Sequence, residues 1–239
     1  MMRFVDTHCH LDLMTNGVEI ARAAHAEGIG FFCTTVTPVD AIDARERFST
    51  CANVRVGAGL HPWWLADGTC GDTDVGLLEE LAARARCIGE VGLDAGKRGA
   101  ESIEAQAAAF ERTMRTVFEH PLPRRVISIH AIRSANRVLD ILEHTGAARS
   151  ATCILHWFSG TSDELGARFA WLPLLNKRAY ARHEARPRVR AHPARRSPAA
   201  RNGRTAPAGK SLPAGRIERS LALDPRAARA DSQVNAATL

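Results

Sequence analysis

No stretch of this 239-residue chain is apolar for anything near the ~20 residues that a membrane helix needs. The N-terminus lacks the basic, apolar and small-residue succession of a signal peptide. No membrane-spanning helix is expected, and a cytoplasmic protein is the expectation. The six cysteines (Cys9, Cys33, Cys51, Cys70, Cys87 and Cys153) form no CxxC and follow no regular spacing. That excludes a disulfide scaffold. Several lie inside apolar, strand-like runs and read as buried, reduced thiols.

Charge of one sign is scarce in one place only. The net charge of +6 combines an acidic body with a basic tail. Residues 1–170 hold 17 Lys and Arg against 22 Asp and Glu, whereas residues 171–239 hold 15 against 4. The high pI therefore describes the tail and says little about nucleic-acid binding by the body. Within residues 182–211, Val189 is the only strongly apolar residue of the usual core types. Such a composition buries too little apolar area to offset chain entropy. The expected organisation is a folded unit over 1–170 and a disordered Arg/Ala/Pro-rich tail over 171–239.

What the body contains is an alternation. Short runs rich in Val, Ile, Phe and Cys at 3–8, 29–37, 54–61, 87–93, 125–131 and 151–158 predict strands buried on both faces. Helical patterns fill the intervals at 17–27, 38–48, 74–86, 102–119, 134–145 and 162–170. Asp40, Thr73 or Asp74, Ser102, Ser134 and Ser162 or Asp163 stand where N-caps are expected. Six βα units in succession predict a parallel sheet, either doubly wound or a barrel. An eight-unit barrel needs about two more.

Functional groups in parallel α/β folds gather at the carboxyl ends of the strands. His8 and His10 close the first run and, two residues apart on a strand, face the same way. His61 follows the third, Glu90 lies in the fourth, His130 ends the fifth and His156 the sixth. Each alone has an ordinary structural reading: a packed histidine, or a buried glutamate paired with an arginine. Together, His8, His10, His130, His156 and Glu90 at strand ends suit a two-metal hydrolytic centre that needs one further carboxylate. His61 could contact a substrate phosphate or pack beside Pro62. Trp63 and Trp64 could stack on a base or anchor a loop. Asp94 could orient a ligand or cap a segment. Arg133 could meet a phosphate or a carboxylate of its own helix, and Lys97 and Arg98 could be solvated loop charges.

Over residues 3–170 the segments DTHCHLD, GLHPWW, IGEVGLD, SIH and HWFSGT, in this order, resemble the TatD family of metal-dependent deoxyribonucleases, part of the amidohydrolase-like group. The resemblance implies a TIM-type (β/α)8 barrel, incomplete here at about six βα units. It implies that His8, His10 and Glu90 hold one divalent ion while Glu90, His130 and His156 hold a second. Mg²⁺ is the first expectation, with Mn²⁺ or Zn²⁺ as alternatives. DNA is the implied substrate and phosphodiester hydrolysis the implied reaction, with Glu90 and His61 as the catalytic pair. Nothing in the sequence identifies a protein partner.

One family feature is absent. TatD-like chains carry a late Glu-Thr-Asp-x-Pro motif whose aspartate completes the first metal site; here the tail holds only Asp224 and Asp231, neither ending an apolar run. Codons can be chosen for residues 199–206 so that a one-base shift reads Leu-Leu-Glu-Thr-Asp-Ala-Pro. Residues 171–181 yield a family-like strand in the same shifted frame. The expectation is a frameshift near Ala170 and weak or absent activity in this chain. Two other readings stand beside the nuclease: an amidohydrolase-type enzyme acting on a C–N or ester bond, and a non-catalytic DNA-binding protein that uses the basic tail.

Overall fold

A computed structural model of the chain describes residues 2–160. The expected helix at 162–170, the expected disordered tail and the expected change of reading frame lie outside the described residues. Six parallel strands alternate with helices, in the order β1 (Phe4–Cys9), α1 (Gly17–Ala26), β2 (Ile29–Thr34), α2 (Pro38–Arg47), β3 (Val54–Gly57), α3 (Pro62–Ala66), α4 (Asp72–Arg84), β4 (Cys87–Asp94), α5 (Ile103–Glu119), β5 (Val126–Ile132), α6 (Ala135–Thr145), α7 (Ala147–Ser150) and β6 (Thr152–His156). Single 3₁₀ turns follow β1 and precede α5.

The strands form two parallel three-stranded sheets, β1-β2-β3 and β4-β5-β6. Backbone hydrogen bonds from β4 to the residues that follow β3 and β2 join them: Ala58 N–H to Cys87 O, Gly89 N–H to Ala58 O, and Glu90 N–H to Thr35 O. The result is an α/β arrangement consistent with a TIM-type fold, in which closure of a barrel is not seen among the described residues. One apolar cluster lies under β3–β5 and helices α4–α6, centred on Leu78, Leu81, Ile88, Met114, Ile127 and Ile129. A smaller one packs Leu11, Ala21, Cys33, Phe48 and Val54 around β2.

Several helix starts differ from expectation. Thr37, not Asp40, is the N-cap of α2: its Oγ1 accepts from Asp40 N–H at 3.1 Å, and Pro38 opens the first turn. Gly71 precedes α4, and Asp74 Oδ2 accepts its N–H at 2.9 Å. Thr73 and Asp74 thus fall inside the first turn. Ser102 and Ser134 stand at their N-cap positions but aim elsewhere, Ser102 at Gln106 and Ser134 at Leu93 O. All six cysteines are free, and burial pushes the thiols of Cys9, Cys70 and Cys153 up to about 12.

One buried cation ties helices to the sheet. Arg125 is 1% exposed, and its guanidinium donates to the carbonyls of Ala82, Ala85, Val117 and His120 at 2.7–2.9 Å. These carbonyls end α4 and α5, so the side chain caps two helices whose last C=O groups lack intrahelical partners.

Among the described residues the outer edge of the first sheet is open. Phe4 and Val5 of β1 are 65% and 58% exposed, and among these residues β1 pairs only with β2. An exposed apolar edge strand invites pairing between molecules. Replacing Phe4 with Lys and Val5 with Thr is expected to lower self-association while changing stability by no more than about 0.5 kcal/mol per site. Size-exclusion chromatography at rising concentration checks this; unchanged association would show that the edge plays no part.

Candidate metal centre

Glu90 is the focus of the site. It lies on β4 where pairing with β5 slips between Ile88 and Val91, an irregularity of the kind that re-aims a side chain. Gly92, two residues on, has φ +128°, and a Cβ there would stand 2.2 Å from His130 O. Only glycine permits so close an approach of β4 to β5. The Glu90 carboxylate is 3% exposed and faces five imidazoles. Its Oε1 lies 2.6 Å from His156 Nε2, 2.8 Å from His130 Nδ1 and 3.2 Å from His61 Nε2. Its Oε2 lies 3.3 Å from His10 Nε2 and 3.6 Å from His8 Nε2. All five histidines singled out from the sequence therefore converge on one carboxylate, contributed from both sheets. The alternative of a buried Glu–Arg pair is not what surrounds Glu90.

Each ring is fixed by its second nitrogen. His10 Nδ1 is 2.8 Å from Thr34 O. A carbonyl only accepts, so Nδ1 carries a proton, and Nε2 faces Glu90 either as the donor of a doubly protonated ring or as a ligand to a metal between them. His130 Nε2 is 3.1 Å from Asp94 Oδ2, which likewise leaves Nδ1 to face Glu90. Asp94 is itself held by Trp63 Nε1–H at 2.6 Å and Gly96 N–H at 2.7 Å. Asp94 therefore orients a candidate ligand; Trp63 supports Asp94, and its ring face is covered by Arg98, whose guanidinium carbon is 4.6 Å from the ring centroid. His61 differs. Its Nδ1 accepts from Trp63 N–H at 3.1 Å as the cap of α3, so its proton sits on Nε2 and points into the site. His61 offers a donor there, not a ligand lone pair.

The electrostatics agree. Burial alone pushes Glu90 up, but hydrogen bonds from His10, His130, His156 and His61 outweigh it and hold the carboxyl far below the usual range. Burial, with the charge of His156, lowers His8 to about 4, which keeps it neutral at pH 7. Burial also lowers His61. For His10, burial lowers the pKa, but the hydrogen bond and charge of Glu90 overcome it and raise the group above its ordinary value.

His10 and His130 each set both ring nitrogens against acceptors, Thr34 O and Glu90 for one, Asp94 and Glu90 for the other, so each ring requires positive charge, from a second proton or from metal. A nitrogen and carboxylate donor set at strand ends fits a divalent transition ion well and Mg²⁺ less readily. By mutual distance the donor atoms fall into two groups, His8–Glu90–His156 and His61–Glu90–His130, each within 4.8 Å. Glu90 is common to both, as the resemblance implies, while His8 approaches His156 more closely than that division into ligand sets suggests. Arg133 is exposed, with its backbone N–H on Ser159 Oγ.

Parallel strands deliver five histidines and one buried glutamate to a single end, a candidate metal centre on an α/β scaffold. The chain belongs to the family of TatD-related DNases, whose profile matches residues 5–171. No curated protein compared with the chain matches it. Membership makes the chain a hydrolase of nuclease type from a metal-dependent family. Among the described residues no helix is long and apolar enough to cross a membrane.

Proposed function

We propose that the chain is a cytoplasmic DNase that hydrolyses phosphodiester bonds with two divalent ions held by His8, His10, Glu90, His130 and His156. The observation that carries this is the orientation of His10 and His130. Thr34 O and Asp94 occupy their outer nitrogens, and both rings turn their remaining nitrogen onto Glu90. When bound, such ions supply a nucleophile at neutral pH and offset phosphate charge. The chain's own residues do the rest. Glu90 draws the histidines together and keeps its charge. His61 directs Nε2–H into the site, where it donates to a phosphate oxygen. Asp94 and Thr34 hold the rings of His130 and His10.

Arg98 supplies a cation at the rim. It lies over Trp63 and is paired with Asp67 at 3.0 Å, yet remains half exposed. Arg98→Ala is expected to raise KM for DNA about fivefold, roughly 1 kcal/mol, with kcat little changed. Steady-state kinetics decide this; a fall in kcat with KM unchanged would remove Arg98 from substrate binding.

The test of the function is cleavage of a single-stranded oligonucleotide by the 239-residue chain with Mg²⁺, Mn²⁺ or Zn²⁺, before and after EDTA. The sequence lacks the late Glu-Thr-Asp-x-Pro motif, so slow, EDTA-sensitive cleavage is expected. Cleavage that persists in EDTA, or metal-dependent turnover of cyclic amides or lactones without any of DNA, would overturn the reading.

A further inference from the structure

Ser128 is fully buried in the middle of β5, on the same face as His130. Its Oγ lies 3.0 Å from His8 Nδ1 and 3.3 Å from His156 Nδ1. The two histidines come from β1 and β6, the outer strands of the two sheets, and their ring centroids are 4.0 Å apart. One hydroxyl therefore links the ends of both sheets and meets the rear nitrogen of two rings whose front nitrogens face Glu90.

We propose that Ser128 is a positioning residue that sets the tautomer and orientation of His8 and His156 together. The argument is one of donors and acceptors. A serine hydroxyl has one proton and two lone pairs. Without metal, His156 Nε2–H donates to Glu90, so His156 Nδ1 accepts the Ser128 hydroxyl proton. His8 Nδ1–H then donates to Oγ and leaves His8 Nε2 as a bare lone pair. For both Nε2 atoms to act as ligands, both rings must carry the proton on Nδ1. Ser128 Oγ can accept from both, which alanine or valine cannot. Partners of this kind typically change metal affinity 10–100-fold when removed.

This proposal rests on the metal-centre reading for its consequence, but not for its geometry, and one experiment separates the two. Imidazole ¹⁵N spectra of the full chain are recorded metal-free and then with Zn²⁺ alone as titrant, for wild type and for Ser128→Ala, Ser128→Thr and Ser128→Val. Threonine and valine share a shape and differ by the hydroxyl. In the metal-free spectra, Ala and Val are expected to shift the ¹⁵N resonances of His8 and His156 while those of His10 and His61 stay in place; Thr is expected to resemble wild type. Zn²⁺ affinity is expected to fall 10–100-fold in Ala and Val. Metal-free spectra in which His8 and His156 do not respond to loss of the hydroxyl overturn the role of Ser128, as does an unchanged Zn²⁺ affinity in Ala and Val. Absence of Zn²⁺ binding by the wild type overturns the metal reading, and with it the assigned consequence, even where the metal-free shifts follow the hydroxyl.

Discussion

Glu90→Gln is expected to lower kcat/KM for DNA cleavage by at least about a thousandfold, a loss of roughly 4 kcal/mol. The amide keeps the shape of the carboxylate but not its charge. It offers one oxygen and an NH₂, and the NH₂ would set donor protons against His10 or His130, whose nitrogens donate to the carboxylate or would share a metal with it. Five imidazoles now arranged about one anion would be left with no charge to organise them. The fold itself should survive, because Glu90 lies at a strand irregularity and its backbone bonds to Thr35 and Leu60 do not involve the side chain. Single-turnover cleavage of a labelled oligonucleotide, with circular dichroism to confirm folding, checks the prediction. A folded Glu90→Gln chain that retains a tenth of wild-type activity would show that Glu90 is not the centre of the chemistry.

The second large effect concerns stability. Arg125→Leu is expected to destabilise the folded unit by about 3 kcal/mol or more, since it leaves several buried carbonyls without donors, each costing about 1–3 kcal/mol. For a unit of this size that corresponds to a fall in Tm of roughly 10 °C. Arg125→Lys should recover only part, because an ammonium cannot reach the carbonyls of both α4 and α5 in one plane. Thermal unfolding followed at 222 nm gives the comparison. A shift of under about 3 °C for Leu would mean that water satisfies those carbonyls and that the cap matters little.

Strand positions were legible because buried parallel strands are short, continuous apolar runs, and each of the six expected runs overlaps a strand. The runs were read too long at 29–37 and 54–61, where β2 ends at Thr34 and β3 at Gly57. There the chain leaves the ladder but stays buried, so the apolar pattern continues past the strand. The short helices α3 and α7, of five and four residues, carry no detectable period. Histidine convergence was legible from the strand-end rule, although the alternation argument for His8 and His10 holds only loosely. β1 ends at Cys9 with a slip in register, and His10 lies beyond it, placed by Thr34 O. What could not be read was which nitrogen each ring presents. That depends on Thr34, Asp94, Trp63 and Ser128, partners from 2 to 120 residues away. For Ser128 a signal existed: it stands two residues before His130 on a buried strand, a polar residue on the face that carries the site.

The central claim is that Glu90 and the surrounding histidines form a metal centre. Equilibrium dialysis of the metal-stripped 239-residue chain against Mn²⁺, beside Glu90→Gln, tests it most directly. The expected result is saturable binding of one to two ions by the wild-type chain and none at the same concentrations by Glu90→Gln. Equal binding by both chains, or no binding by the wild type, would contradict it.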